Sequence, residues 1–166
     1  MKTCTINSNS QPNQSPSANI YSLPRFRVSL VRENRAAAPS LPISTSVTAA
    51  ALLAPCFKGI DREQFVICGL DAKHRIIGLN IVSVGSLTFS IVHPREVFKP
   101  LILMNACAAI CAHNHPSGDP DPSSEDRVLT ARLRQAGELL GITLLDHIIL
   151  GDDRTYSFAD HSWPCA

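Results

Sequence analysis

The segment AHNHPSGDPDPSSED, residues 112–126, joins an apolar run to an amphipathic one. The residues before His113 are small and apolar, which predicts a central strand that is buried on both faces and ends in the two histidines. The prolines and the glycine predict a loop that reverses the chain. Ser123 or Ser124 is typical of a helix N-cap, and apolar residues follow at helical spacing as far as Gly141, a predicted C-cap. The segment therefore predicts a buried strand, a tight loop and a helix.

Strand and helix patterns alternate on both sides of this unit. Apolar residues in alternating or continuous runs predict strands at 25–32, 63–70, 74–85, 86–92, 142–150 and 155–158. Helix signals cover 44–55 and 93–105, and Pro100 should disrupt the first turns of the second helix. The order of these elements predicts an α/β or mixed α+β layer fold.

Length and composition fit one globular domain. The chain has 166 residues, of which 45% are hydrophobic and 17% are charged, and this is enough for one core but not for two. Residues 1–20 are rich in Ser, Asn, Gln and Pro without periodicity, which predicts a disordered tail. We therefore place the domain at residues 21–162 and a short C-terminal tail at 163–166.

Charge and cysteine content narrow the classes of function. A formal charge of +1 gives no strong overall attraction for nucleic acid, so a nucleic-acid partner would depend on a local patch and is not supported by net charge. No segment has the length and hydropathy of a secretory signal or of a membrane span, which predicts a cytoplasmic protein without membrane contact. Six irregularly spaced cysteines in that setting predict free thiols.

The two histidines of the quoted segment have the spacing of metal ligands. His113 and His115 are two residues apart on extended chain, so their side chains point to the same side. The reversing loop can bring Asp126, near the start of the next helix, into the same space. Two nitrogens and one oxygen suit zinc, and three protein ligands leave a fourth position open, as in catalytic zinc sites.

A hydrolytic zinc site also needs a general base and a group that stabilises the oxyanion. Glu63 is the first residue of a predicted strand and can accept a proton from water, and Ser123 can donate a hydrogen bond to a tetrahedral intermediate. Both residues have alternative interpretations. Glu96 competes with Glu63 as the base, and Ser123 can act purely as a helix cap with Asp126 at the third helical position.

Other polar residues near the histidines are interpreted as structural. Cys107 and Cys111 form a rival metal pattern with the two histidines, but their small neighbours favour thiols that fill a tight core. Asp119 and Asp121 are typical of a solvated turn. His147, in an alternating strand, is predicted to be packed or hydrogen-bonded rather than a ligand.

The metal-site residues resemble a known family. His113, His115, Ser123 and Asp126, with their fixed spacing and an upstream glutamate, resemble the JAMM metallopeptidase signature of JAB/MPN domains. The phrases HPREVF, AHNHPSGDP, PSSED and LLDHIILGD are similar to RadC, a bacterial family named for DNA repair, over roughly residues 22–160.

The resemblance implies a JAMM/MPN-type mixed β-sheet flanked by helices, with zinc bound by His113, His115 and Asp126. It also implies Glu63 as the base, because the family's glutamate begins a strand and is followed closely by a phenylalanine, here Phe65.

These residues predict a zinc-dependent hydrolase, a metalloprotease of JAMM type that cleaves a peptide or isopeptide bond in a protein or peptide substrate. One alternative is an accessory protein of DNA repair or mobile-element metabolism that uses the domain for binding. Another is a zinc nuclease, although such sites often use two metals and the sequence supplies ligands for one. A deaminase is disfavoured because the H-x-E and P-C-x-x-C patterns are absent from the sequence.

Overall fold

The computed structural model of the chain, described over residues 27–31, 33, 41–85 and 92–164, is built around one mixed sheet. Its strands are β1 (Gln64–Leu70), β2 (Ile76–Val84), β3 (Ala108–Asn114), β4 (Thr143–Leu150) and β5 (Thr155–Ser157). Its α-helices are α1 (Ser46–Leu53), α2 (Pro94–Leu103) and α3 (Ser124–Leu140), and a 3-10 turn at Ala54–Phe57 follows α1. The predicted mixed α/β single-domain fold is confirmed.

The sheet has the strand order β2–β1–β3–β4–β5. β3 and β4 are parallel, and the other neighbouring pairs are antiparallel. A parallel pair needs a crossover connection, and α3 supplies it between β3 and β4. This connection brings the start of α3 back to the end of β3, where the histidines lie.

The two faces of the sheet carry separate apolar clusters. One cluster packs α1 against Val66, Cys68, Ile110 and Ile148. The other packs α2 and α3 against residues of the opposite face, Phe65, Ile67, Ala109, Cys111 and Leu144. Because side chains alternate along a strand, His113 shares the α2 and α3 face with Ala109 and Cys111.

Local signals explain both ends of α3. Ser123 is the N-cap, and its side chain and that of Asp126 each accept a hydrogen bond from the other's backbone N–H, which is a capping box. Gly141 ends the helix with φ of 70°, a left-handed conformation that favours glycine. Both ends of this helix agree with the prediction from the sequence.

The upstream helices and strands follow their predicted positions with two corrections. α2 keeps a regular first turn capped by His93, and Pro100 lies buried in its second half, so the predicted disruption of the first turns is wrong. The predicted strand at 25–32 is also wrong over residues 27–31, where no strand forms and Val28 and Leu30 are 70% and 50% exposed. The alternation of apolar and polar residues in that segment would give a strand one apolar face, but over residues 27–31 no neighbouring strand pairs with it.

Several predictions fall on residues outside the described ranges. These are the tail at 1–20, most of the strand predicted at 86–92, and the last two residues of the 163–166 tail. Of the six cysteines, the four inside those ranges, Cys56, Cys68, Cys107 and Cys111, are free thiols, as predicted. Among the helices described here, none combines the length and apolar character needed to cross a bilayer.

Candidate metal centre

The candidate centre lies where β3 ends and α3 begins. His113 is buried near the end of β3, and His115 follows it as a half-buried residue whose backbone N–H donates to Leu150 O at 2.9 Å. This bond extends the pairing with β4 beyond the strand and keeps His115 in extended register. Asp126 lies in the first turn of α3 and is buried.

The structure brings the side chains of these three residues together. His113 Nε2 lies 3.0 Å from His115 Nε2 and 3.2 Å from Asp126 Oδ1. His115 Nε2 lies 3.4 Å from Asp126 Oδ2. Within the described part of the chain, this is the one group of three or more His, Cys, Asp or Glu side chains that could hold a metal ion.

The donor atoms fit a small divalent cation in both type and spacing. Four ligands at zinc-like bond lengths of about 2.0–2.2 Å, arranged tetrahedrally, lie ~3.4 Å from one another. The three distances above are at or slightly below that value, so the side chains need only small shifts to share one ion. Two imidazole nitrogens and a carboxylate are a donor set that zinc accepts.

The capping box determines where the Asp126 carboxylate points. Its Oδ2 atom accepts hydrogen bonds from Ser123 N at 2.8 Å and from Ser123 Oγ at 2.6 Å, which leaves Oδ1 facing His113. Burial alone would raise the pKa of Asp126, but the hydrogen bonds that protonated His113 and His115 would donate to it, the charge of His113 and the hydrogen bond from Ser123 outweigh burial and lower it. Asp126 is therefore an anion that offers its oxygens to the histidines.

The loop after β3 orients His115. Its Nδ1 atom lies 2.7 Å from Asp119 O, and because a carbonyl only accepts, Nδ1 carries the hydrogen and donates. The free electron pair of the neutral ring is then on Nε2, the atom that faces His113 and Asp126. In the protonated ring Nε2 also carries a hydrogen and would donate it to Asp126, and this raises the pKa of His115 more strongly than burial lowers it.

Glu63 lies at the same edge of the sheet. β1 and β3 are antiparallel with Phe65 opposite His113, so Glu63, just before β1, and His115, just after β3, lie at the same end of this strand pair. Glu63 is half-buried, and burial raises the pKa of its carboxyl, with Asp126 also raising it and the two histidines opposing the rise. The charges of the three candidate ligands act on the Glu63 carboxyl, so this carboxyl lies close enough to act on a molecule bound at the candidate centre.

Asn114 fixes the backbone on both sides of Glu63. Its Oδ1 atom accepts from Gln64 N at 2.8 Å, and its Nδ2 atom donates to Arg62 O at 3.0 Å. The competing candidate, Glu96, is exposed and paired with Lys99, which lowers its pKa. Glu63 thus has the surroundings expected of a base, and Glu96 has those of a surface ion pair.

The remaining candidates keep structural roles in the described residues. Cys111 is buried and its thiol points at Asp146 O, 3.8 Å away, while Cys107 is exposed, so neither belongs to the His–His–Asp group. Asp119 is exposed, with a carboxylate that accepts from Arg154 at 3.3 Å and from Asp121 N at 3.2 Å. These contacts match the interpretation of Asp119 and Asp121 as turn residues.

Two residues lie behind the centre. His147 is hydrogen-bonded, as predicted, and its Nε2 atom lies 2.8 Å from His113 Nδ1, a partner that the sequence did not reveal. Thr130, which drew no attention, has Oγ1 at 2.6 Å from His147 Nδ1. The one available signal is that Thr130 lies four residues after Asp126, on the same face of a predicted helix.

The fold and this site define a class: a mixed-sheet domain in which a central strand and the helix after it present two histidines and an aspartate able to hold a metal ion. Residues 43–163 match the family model described as RadC-like JAB domain. The chain belongs to the RadC-like JAB domain family, as its sequence motifs predicted.

Several curated relatives carry the name UPF0758 protein. The one from Methanosarcina acetivorans is 42% identical over 146 residues, which is 88% of this chain and 62% of the relative. The one from Shouchella clausii is 52% identical over 110 residues, 66% of this chain and 48% of the relative. The one from Moorella thermoacetica is 50% identical over 113 residues, which is 68% of this chain and 49% of the relative. The matched part of the chain thus spans between 48% and 62% of the length of these relatives.

Proposed function

We propose that this domain is a cytoplasmic, zinc-dependent hydrolase of JAMM type that cleaves peptide or isopeptide bonds in a protein or peptide substrate. The observation that carries the proposal is the convergence of His113 Nε2, His115 Nε2 and the Asp126 carboxylate within 3.4 Å, beside the half-buried carboxyl of Glu63. His113, His115 and Asp126 would hold the metal. Glu63 would act as general base, and Ser123 would stabilise the oxyanion.

Bound zinc would supply a Lewis acid that polarises the scissile carbonyl and lowers the pKa of water to about 7. Glu63 would take the proton from that water and later deliver it to the leaving amine. A base that must also return its proton is more effective when its pKa lies above the ordinary carboxyl range, and burial shifts Glu63 in that direction.

Ser123 has a geometric condition attached to its proposed role. In this structure its hydroxyl donates to Asp126 Oδ2 at 2.6 Å. To stabilise an oxyanion, the hydroxyl would rotate away from Asp126, whose Oδ2 would still accept from the Ser123 backbone N–H at 2.8 Å. The backbone bond would keep the ligand in place while the side chain serves the substrate.

Hydrolysis of an amide fits the site better than hydrolysis of a phosphodiester. Many metal-dependent phosphodiesterases use two ions about 3.5–4 Å apart, and the described residues offer one group of ligands. The formal charge of +1 likewise gives no general attraction for a polyanion. Both features support a protein or peptide as the substrate.

Two matched variants test the proposal. Zinc-loaded wild type, Glu63→Gln and Glu96→Gln would be incubated with a quenched-fluorescent peptide library and with a set of lysine-linked isopeptides. We expect wild type and Glu96→Gln to hydrolyse members of one set at equal rates. Glu63→Gln should retain zinc and lose about 10²- to 10⁴-fold in rate, because the general base is missing.

Two results would contradict the proposal. One is a Glu63→Gln variant that retains both zinc and full activity, which would remove the base from the scheme. The other is a zinc-loaded wild type that leaves both substrate sets intact, which would favour a binding module over a hydrolase.

A further inference from the structure

A continuous line of hydrogen-bonding atoms runs from α3 to His113. Thr130 Oγ1 lies 2.6 Å from Asp126 O and 2.6 Å from His147 Nδ1. His147 Nε2 lies 2.8 Å from His113 Nδ1. The line therefore starts at the backbone of one candidate ligand, Asp126, and ends at the ring of another, His113.

The hydrogens along this line can be assigned from the chemistry of its atoms. A carbonyl only accepts, so the single hydroxyl hydrogen of Thr130 goes to Asp126 O. The contact between Thr130 and His147 then needs a hydrogen on His147 Nδ1. The His147 ring is fully buried, and its two nitrogens face a hydroxyl and another imidazole, so a charged ring would have no counter-ion there; the neutral ring, with no hydrogen on Nε2, is the stable form.

His147 Nε2 must therefore accept, and His113 Nδ1 must donate to it. A neutral His113 with its hydrogen on Nδ1 presents a free electron pair on Nε2, the atom that faces His115 and Asp126. The opposite direction would let His113 Nε2 donate to Asp126 Oδ1, 3.2 Å away, but it would leave the shorter, buried 2.6 Å contact between Thr130 Oγ1 and Asp126 O with no hydrogen between the two oxygens. It would also put a hydrogen on His113 Nε2, where a metal has to bind.

The surroundings hold this line in place. The side chains of Thr130, His147 and His113 are buried, so water does not compete for their hydrogen bonds. Phe158 stacks on the His147 ring with centroids 5.2 Å apart, and Phe65 meets the same ring edge-on at 5.4 Å. Rings packed in this way cannot turn to exchange their two nitrogens without opening the core.

We propose that Thr130 and His147 are positioning residues that keep His113 in the Nδ1–H form and aim its Nε2 atom at the metal. The inference rests on the metal site of the proposed function, but it does not depend on which bond is cleaved. His115 is oriented differently, by the backbone carbonyl of Asp119. A backbone carbonyl thus orients His115, whereas side chains orient His113. Substitution of those side chains can therefore test the orientation of His113.

Thr130 offers a matched pair of substitutions. Thr130→Val keeps the shape and removes the hydroxyl, so His147 Nδ1–H would have no acceptor. The hydrogen of His147 would then move to Nε2, and that of His113 would move from Nδ1 to Nε2. Thr130→Ser keeps the hydroxyl. We expect zinc affinity, measured by competition with a chromophoric chelator, to fall about 10- to 100-fold in Thr130→Val and to stay within about threefold of wild type in Thr130→Ser.

The hydrogen positions would be read directly by long-range ¹H–¹⁵N spectra of the histidine rings in metal-free protein at about pH 8, where unperturbed histidines are neutral. We expect the Nδ1–H form of His113 in wild type and Thr130→Ser, and the Nε2–H form in Thr130→Val. The wild-type spectrum alone decides the inference if the valine variant does not fold.

Two results would overturn the inference. One is a wild-type His113 with its hydrogen on Nε2. The other is a folded Thr130→Val that keeps the wild-type ring form and the wild-type zinc affinity. Failure of the proposed function would look different, because the expected ring form would be present in a protein that hydrolyses neither substrate set.

Discussion

The N-cap of α3 gives the sharpest separation between a structural and a chemical role for one side chain. Ser123 Oγ accepts from Asp126 N at 3.1 Å and donates to Asp126 Oδ2 at 2.6 Å. Replacing an N-cap serine by alanine costs about 0.5–2 kcal/mol of stability, whereas replacing it by glycine costs only a few tenths of about 1 kcal/mol. Ser123→Ala and Ser123→Gly therefore remove the same hydroxyl with different losses of stability.

The structure allows the two losses to be worked out. In both variants Asp126 Oδ2 still accepts from the backbone N–H of residue 123, a bond of 2.8 Å that does not involve the hydroxyl. The carboxylate is partly accessible, so water can replace the donor that is lost. We expect the free energy of unfolding in urea to fall by about 1–2 kcal/mol in Ser123→Ala and by less than about 0.5 kcal/mol in Ser123→Gly.

The rate of hydrolysis should fall equally in the two variants, although their losses of stability differ. If the hydroxyl stabilises an oxyanion, both variants lose it equally, and kcat should fall about 10²- to 10³-fold in each. Equal stability of wild type and both variants would refute the capping argument. A kcat that falls in Ser123→Ala and not in Ser123→Gly would refute the catalytic role, because the rate would then follow helix stability.

Three further changes have expected outcomes of different kinds. Asn114→Ala should lower the free energy of unfolding by about 1–3 kcal/mol in urea, because two backbone groups beside Glu63 lose their buried partner. Gly151→Ala would place a Cβ 2.3 Å from Gly118 O, so the loop that orients His115 must shift and zinc affinity should fall in a chelator competition. Burial raises the pKa of Asp146, so the stability that comes from its protonated form is present below about pH 4 and is lost as pH rises through the folded pKa; above about pH 4 the unfolding free energy of Asp146→Asn should therefore change less with pH than that of wild type.

Each of these changes has its own control. Gly141→Ala strains a left-handed residue with open space around it, so it should lower stability and leave zinc affinity intact. An Asn114→Ala protein as stable as wild type would show that the bonds of this side chain contribute little. A pH profile of stability that is identical in wild type and Asp146→Asn would contradict the assignment of the raised pKa.

The strand, loop and helix around residues 112–126 could be predicted because their signals are local. A serine cap three residues before an aspartate, and a glycine after the last helical turn, specify the ends of α3 without reference to the rest of the chain. The strand predicted at 25–32 failed over residues 27–31, because alternation describes a face to be buried and says nothing of a pairing strand.

Contacts between distant segments could not be predicted from the sequence. His147 is 34 residues from His113 and 17 from Thr130, and only the parallel pairing of β3 and β4 with α3 across them brings the three together. The choice between Glu63 and Glu96 was open for the same reason. The antiparallel register of β1 and β3 is what carries Glu63 to the edge where the histidines lie.

The central claim is that His113, His115 and Asp126 hold one divalent cation, and metal content tests it most directly. Protein purified without added metal would be analysed for zinc and other transition metals beside a His113→Ala/His115→Ala variant. We expect one equivalent of zinc per wild-type chain and none in the variant. Equal metal content in both proteins, or a wild type that binds no divalent ion when zinc is supplied, would contradict the account.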